Sequence, residues 1–157
     1  MGLSNANNKP NDSLYTPNWI FEKLNCIFDL DPAHPNHKTN VPTISYYTEE
    51  GSPNGLTGEW FGFVWLNPPF RGAGIWADKF IEHNNGIMLC QMSKAKWFWN
   101  VWDKSDAIIA IPENVKFINS DGKNQTIFMP TCLVAIDRKS TRLNSSHIPL
   151  SRMPSSA

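Results

Sequence analysis

Apolar positions along this chain come in short bursts separated by proline, glycine and asparagine. Between Pro17 and about Cys26, Ile20, Phe21 and Leu24 recur at helical spacing, which predicts one buried helix face. Thr16-Pro17 just ahead reads as an N-cap followed by the first helical residue. Ile27-Phe28-Asp29-Leu30-Asp31 predicts a short buried strand that ends on an acid and is halted by Pro32. Residues 32–58 are punctuated by Pro32, Pro35, Pro42 and Pro53 and read as loop, with Tyr46-Tyr47-Thr48 as a short edge segment.

Trp60 to Leu66 predicts a second strand, and Ile75 to about His83 a helix whose core face is Ile75, Trp76, Phe80, Ile81 and the Lys79 stem. Ile87-Met88-Leu89-Cys90 follows as a buried strand. Lys96 to Lys104 reads as a helix carrying Trp97, Phe98, Val101 and Trp102. Residues 106–111, 115–118, 126–129 and 131–136 are four further strand candidates. Early alternation of helix and strand with a β-rich end predicts an α/β protein, its mixed sheet bearing antiparallel strands at one edge.

Open α/β sheets bind ligands beyond the carboxyl ends of their strands, and two such ends here carry chemistry. Asp31 closes the first strand. Asn67-Pro68-Pro69-Phe70 leaves the second and runs into the glycine-broken loop Arg71-Gly72-Ala73-Gly74. Asn67 offers an acceptor and a donor, and the two prolines fix φ and stiffen the loop. The Asn67 side-chain oxygen and the Pro68 carbonyl can accept both protons of an exocyclic amine, leaving its lone pair outward, while Phe70 supplies a stacking face. Taken alone, the tetrapeptide reads equally well as a stiff turn with a structural Phe. Asp29 and Asp31 also fit loop or capping roles, but two acids in an apolar segment are costly unless something satisfies them.

Composition changes the picture at the C-terminal end. From Asp137 onward the chain is Ser-rich and without period, and Asp137 to His147 back-translates to a common short-read sequencing adapter. Residues 137–157 are therefore expected to be a translation artefact without structure, residues 1–13 a disordered segment, and 14–136 the folded domain. Of 14 basic and 14 acidic residues the tail holds four and one, so the body carries 10 and 13, a net charge of −3. Global charge thus lends no support to nucleic-acid binding, and contacts to phosphate would come from a local patch such as Arg71, Lys94 and Lys96. No run approaches a membrane span, and no apolar leader opens the chain, so a cytoplasmic protein is expected. Cys26, Cys90 and Cys132 read as buried free thiols, and His34 with His37 lacks partners for a metal set. Seven Trp and nine Phe are read mainly as core filling, Trp97, Trp99 and Trp102 included.

Tyr15-Thr16-Pro17, Phe28-Asp29-Leu30-Asp31-Pro32-Ala33, Tyr46-Tyr47-Thr48, Gly55-Leu56, Trp60, Trp65-Leu66-Asn67-Pro68-Pro69-Phe70, Trp76 and Lys116-Phe117 follow one another in order. Together they resemble the phage and prophage adenine-N6 DNA methyltransferase family over about Leu14 to Ile136. The resemblance implies a Rossmann-like fold that binds S-adenosylmethionine, without a metal, and moves its methyl group to the N6 amine of a flipped-out adenine in double-stranded DNA. It implies catalytic roles for Asn67, Pro68, Pro69 and Phe70, with Trp76 or Trp97 as further receivers of the base. It also implies cofactor contacts from Tyr15, Thr16, Pro17, Asp29, Asp31 and Pro32, with Asp31 the stronger hydrogen-bond acceptor. A bacterial host cytoplasm and a monomer or weak dimer follow from the same resemblance.

Three departures stand out: Phe70 where Tyr is common, His34 after Pro-Ala, and no clear acid for the adenosine, Glu49 and Glu50 being near. Transfer to a protein glutamine amide or an RNA base, and a non-catalytic aromatic-rich module, remain as other readings. Target specificity is expected in the loops around 34–58 and 119–125.

Overall fold

A computed structural model describes residues 15–36, 39–112, 115–119, 121–127 and 129–138. The N-terminal segment 1–13, His37 and the tail beyond Arg138 lie outside the described residues. The chain runs α1 (Asn18–Leu24), β1 (Phe28–His34), β2 (Thr43–Thr48), β3 (Val64–Leu66), α2 (Ala73–His83), β4 (Asn85–Gln91), α3 (Lys96–Lys104), β5 (Ala107–Ile111), β6 (Lys116–Ile118), β7 (Asn124–Thr126) and β8 (Thr131–Asp137). Six strands form one sheet in the order β2-β1-β3-β4-β8-β5, and β6 pairs with β7 as a separate antiparallel ribbon. β2, β1, β3 and β4 are mutually parallel, and β8 lies antiparallel between β4 and β5. The protein is thus a mixed α/β fold, with the antiparallel strand one place in from the edge.

Both faces of the central strands are covered, which is why β4 is a continuous apolar run rather than an alternating one. On one face Val64, Leu66, Met88, Cys132 and Val134 meet Ala77 and Phe80 of α2 and Phe98 and Val101 of α3. On the other, Trp65, Ile87, Leu89 and Leu133 meet Ile20 and Phe21 of α1 and Phe117 of the β6–β7 ribbon. Trp65 sits edge-on to Phe21 at 4.8 Å, and its buried Nε1 has no partner among the described residues. α1 and α2 both end on an asparagine in the left-handed region, Asn25 and Asn84, whose N–H donates back to Phe21 and Phe80 at 2.9 Å. Asn is the residue that tolerates this conformation most readily after Gly.

Several elements depart from the expected pattern. Thr16 is not the N-cap: Pro17 occupies that position, extended at ψ 147, with no side-chain cap. β1 does not stop at Pro32 but continues through Pro32 and Ala33 to His34. The donor that Pro32 lacks falls where the β1–β2 register shifts between Asp31 and His34, a place in a ladder that tolerates proline. The edge segment at Tyr46 is a full strand starting at Thr43. The strand expected from Trp60 begins only at Val64, because Gly62 takes φ 65 and breaks the extended run. There the Phe63 N–H donates to Asp29 Oδ2 at 2.7 Å, and a Cβ on Gly62 would lie 2.3 Å from that same oxygen.

α2 starts at Ala73, two residues earlier than its pattern suggests, so Ala73, Ala77 and Phe80 face the core and Ile75 is 63% exposed. On α3, Trp99 and Trp102 are also largely exposed, 53% and 43%, contrary to their reading as core. The strand expected at 126–129 is instead Asn124–Thr126, because the ribbon register ties Thr126 to Lys116.

Candidate functional site

Strand order reverses between β1 and β3. From β1 the chain steps outward to β2, and from β3 it steps the other way to β4, while β1 and β3 lie side by side with Leu30 opposite Val64. Open sheets bind ligands beyond the carboxyl ends at such a point; Asn67 directly follows the carboxyl end of β3, and Asp31 lies inside β1, three residues before its end at His34. Asp31 is 2% exposed, and the Ala33 N–H at 3.1 Å is its one hydrogen bond among the described residues. Burial raises its carboxyl to about 7, only partly opposed by that N–H. Asp29 is different: its carboxylate is taken up by the Phe63 N–H and pressed against Gly62, so it serves the joint between β1 and β3.

Tyr15, Thr16 and Pro17 precede α1. The Tyr15 N–H donates to the Ile118 carbonyl at 2.7 Å, and the Ile118 N–H returns to Tyr15 at 3.1 Å. Thr16 is 2% exposed, with no partner for its hydroxyl among the described residues, while its carbonyl accepts from Asn40 Nδ2 at 2.9 Å. Pro17 is buried, and its carbonyl accepts the Ile20 N–H at 3.1 Å. Pro32 is buried as well. Its carbonyl is so close to Gly55 that a Cβ there would sit 1.8 Å from the oxygen.

The loop carrying Gly55 is held from three sides. Trp60 Nε1 donates to the Gly55 carbonyl at 2.7 Å, and Lys79 Nζ donates to Leu56 and Gly58 at 2.9 and 2.6 Å. Loop and β1 end are thereby locked together, forming one wall of the Asp31 side.

Asn67, Pro69 and Phe70 are half-buried and Pro68 is buried. Asn67 and Phe70 line an enclosed cavity of about 10 Å³ with Leu89, Cys90, Phe117, Ile127 and Thr131, room for roughly one water. A purine does not fit there, so a planar ring reaching Asn67 through this wall requires the ribbon residues Phe117 and Ile127 to move. The cavity also unites the two candidate halves: Phe117 beside Asn67 is the neighbour of Ile118, which bridges to Tyr15.

Trp76 and Trp97 pack with the α2–α3 layer and do not line the Asn67 cavity; Trp76 lies against Gly55 beside the Pro32 carbonyl, and Trp97 against Gly74 of the loop after Phe70. Glu49 and Glu50 are exposed after β2. The cavity residues that sequence reading did not assign to the site are Leu89, Cys90, Phe117, Ile127 and Thr131. Only Phe117 left a signal, as part of the Lys116-Phe117 segment.

Cys90 and Cys132 face each other across β4 and β8 with sulfurs 3.7 Å apart, and all three cysteines are free. The neighbouring thiol and burial push the Cys90 thiol well up. Among the described residues no group of three His, Cys, Asp or Glu gathers, and no helix is long and apolar enough to cross a membrane. A cleft of about 670 Å³ lies away from Asp31 and Asn67, by the end of α1 and the amino ends of β1 and β2. It is broad and open, with Glu22 and Cys26 its only titratable groups, and it brings no reactive set together.

A family model described as DNA N-6-adenine-methyltransferase (Dam) matches residues 3–150 of the chain. No curated protein and no solved structure matches it.

Proposed function

The chain belongs to the DNA N-6-adenine-methyltransferase (Dam) family, which implies a DNA substrate and adenine methylation, and from that premise we propose how its residues act. The protein is read as a site-specific methyltransferase of phage or prophage origin, working in the cytoplasm of a bacterial host as a monomer or weak dimer. Its mixed sheet, with the order reversed between β1 and β3, is consistent with a Rossmann-like fold. One observation carries the reading. The Asn67-Pro68-Pro69-Phe70 loop leaves the end of β3, and a buried carboxyl with one hydrogen bond sits in the adjacent strand β1, the two strands flanking the reversal of strand order.

The residues present fit S-adenosylmethionine. Among the described residues Asp31 is a buried acceptor with one hydrogen bond, and the Thr16 hydroxyl is buried with no partner. Both are expensive in an empty protein and inexpensive beside a ligand bearing donors and acceptors. Asp31 and Thr16 would hold the cofactor, with Tyr15, Pro17 and Pro32 shaping its walls. Asp29, committed to Phe63, supports β1 from behind rather than touching the ligand. When bound, the cofactor supplies a methyl group already activated on a sulfonium, so no metal and no covalent protein intermediate is called for.

The chain's own task is alignment. The Asn67 side-chain oxygen and the Pro68 carbonyl accept the two protons of the adenine amine and stabilise the positive charge that grows on nitrogen during attack. Pro68 and Pro69 keep those acceptors in place, and Phe70 offers the ring face. The adenine leaves the duplex stack to arrive, as base-modifying enzymes require. Incubation with methyl-labelled S-adenosylmethionine and unmodified duplex DNA, followed by digestion to nucleosides, tests this. Label is expected in N6-methyldeoxyadenosine. Label confined to RNA or to protein glutamine would overturn the DNA reading.

A further inference from the structure

The β6–β7 ribbon is not part of the main sheet, yet both of its strands are rooted in the candidate site. Phe117 of β6 and Ile127, just beyond β7, line the same cavity as Asn67 and Phe70. The pairings Lys116↔Thr126, Phe117↔Gln125 and Ile118↔Asn124 divide the ribbon into two faces. Phe117 points inward and is 2% exposed, while Lys116, Asn124 and Thr126 on the other face are exposed. Its turn is built rather than loose: Asn119 Oδ1 accepts the N–H groups of Asp121 and Lys123 at 3.0 and 2.9 Å. Lys123 is exposed at the start of the return strand.

We infer that this ribbon lies in a groove of duplex DNA beside the adenine held at Asn67, Lys116 and Lys123 meeting phosphates and Asn124 and Thr126 meeting base edges. The inference rests on the methyl-transfer reading for its choice of partner. A two-stranded ribbon has the width that the major groove admits, and Asn and Thr are side chains that bond base edges there. Among the described residues of the ribbon two exposed lysines, Lys116 and Lys123, outnumber one exposed acid, Asp121, although the body as a whole is acidic. Arg71, Lys94 and Lys96 follow β3 and β4 at the same carboxyl side, whereas Glu49 and Glu50 follow β2 at the far edge of the sheet. From Phe117 to Asp121 in the turn is four residues, a reach of at most roughly 13 Å at strand rise. That is enough to touch the base pairs next to an extruded nucleotide.

The test measures binding of a fluorescent mixed-sequence duplex across a salt series, and sequences the adenines methylated by each protein. Lys116→Ala with Lys123→Ala is expected to lower the slope of log affinity against log salt by about 0.9 per lysine. Asn124→Ala is expected to keep that slope and relax the base preference beside the methylated adenine. These positions are exposed, so matching circular dichroism melts will show that the variants fold. Slopes and methylated sequences equal to those of the unaltered protein would overturn the ribbon assignment even if methyl transfer is confirmed, and so would an unaltered protein that binds no duplex. Conversely, lysine-dependent duplex binding without any transfer supports the ribbon and removes the methyl-transfer reading.

Discussion

Asp31 and Asp29 stand two positions apart on one strand and do opposite work. Asp29 is satisfied by the Phe63 N–H, whereas Asp31 holds a buried carboxyl with a single bond from Ala33. A carboxyl raised from 3.8 to about 7 binds its proton more tightly in the folded chain than in the unfolded one. Its contribution to stability is therefore greatest below about pH 4 and declines as pH rises to about 7, beyond which both states are ionised and the dependence flattens. From the shift of 3.8 to about 7, the full decline is up to about 4 kcal/mol. Asp31→Asn should remove that slope, giving a higher urea midpoint than the unaltered protein at pH 8 and a much smaller difference at pH 4. The same substitution should weaken S-adenosylmethionine binding roughly 10–100-fold, the loss expected of one hydrogen bond to a charged group. An unchanged cofactor affinity in calorimetry would remove Asp31 from the binding set.

At the level of elements, the sequence revealed periodicity well and interruptions poorly. α3 was legible to the residue because its helical spacing runs unbroken from Lys96 to Lys104. β4 was legible because a strand buried on both faces reads as a solid apolar run. β1 was cut short at Pro32 because sequence shows the missing donor but not the register shift that makes it harmless. β3 was overextended because only the fold reveals that Gly62 must turn left-handed to lie against Asp29. The site followed the same division. In the candidate site, Asn67 and Asp31 draw attention in the sequence as polar groups after or within apolar runs, whereas Ile127 and Thr131 look like ordinary strand residues until tertiary packing sets them beside Asn67. Packing also separates the thiols: Cys26 is half-buried, while Cys90 and Cys132 are buried between strands and α2–α3. Brief treatment with iodoacetamide should add one adduct in the native protein, at Cys26, and three after denaturation, as read by intact mass. Two or three adducts in the native state would show that the β4–β8 layer opens readily.

The whole molecule is a two-faced sheet whose stability and chemistry come from different ends. Helices and ribbon bury its faces, and Asp31 inside β1 and the Thr16 hydroxyl are the buried polar groups that the proposed cofactor would satisfy. β8 runs through Asp137, whose N–H donates to Asp106 Oδ2 at 2.7 Å, and Arg138 donates to the His83 carbonyl at 3.3 Å. If the adapter-like tail contributes nothing, a chain ending at Arg138 should keep its melting temperature within about 1 °C and its transfer rate within twofold, a shift well below that of about 1 kcal/mol. A larger loss in a melting scan would assign residues 139–157 a structural part. The central claim is that Asn67 holds the reacting amine, and one measurement bears on it directly: single-turnover methyl transfer to duplex DNA by Asn67→Ala alongside its S-adenosylmethionine affinity. The account predicts a rate lower by about 10²-fold or more with cofactor affinity within about threefold. Transfer at the unaltered rate, with cofactor still bound, would contradict it.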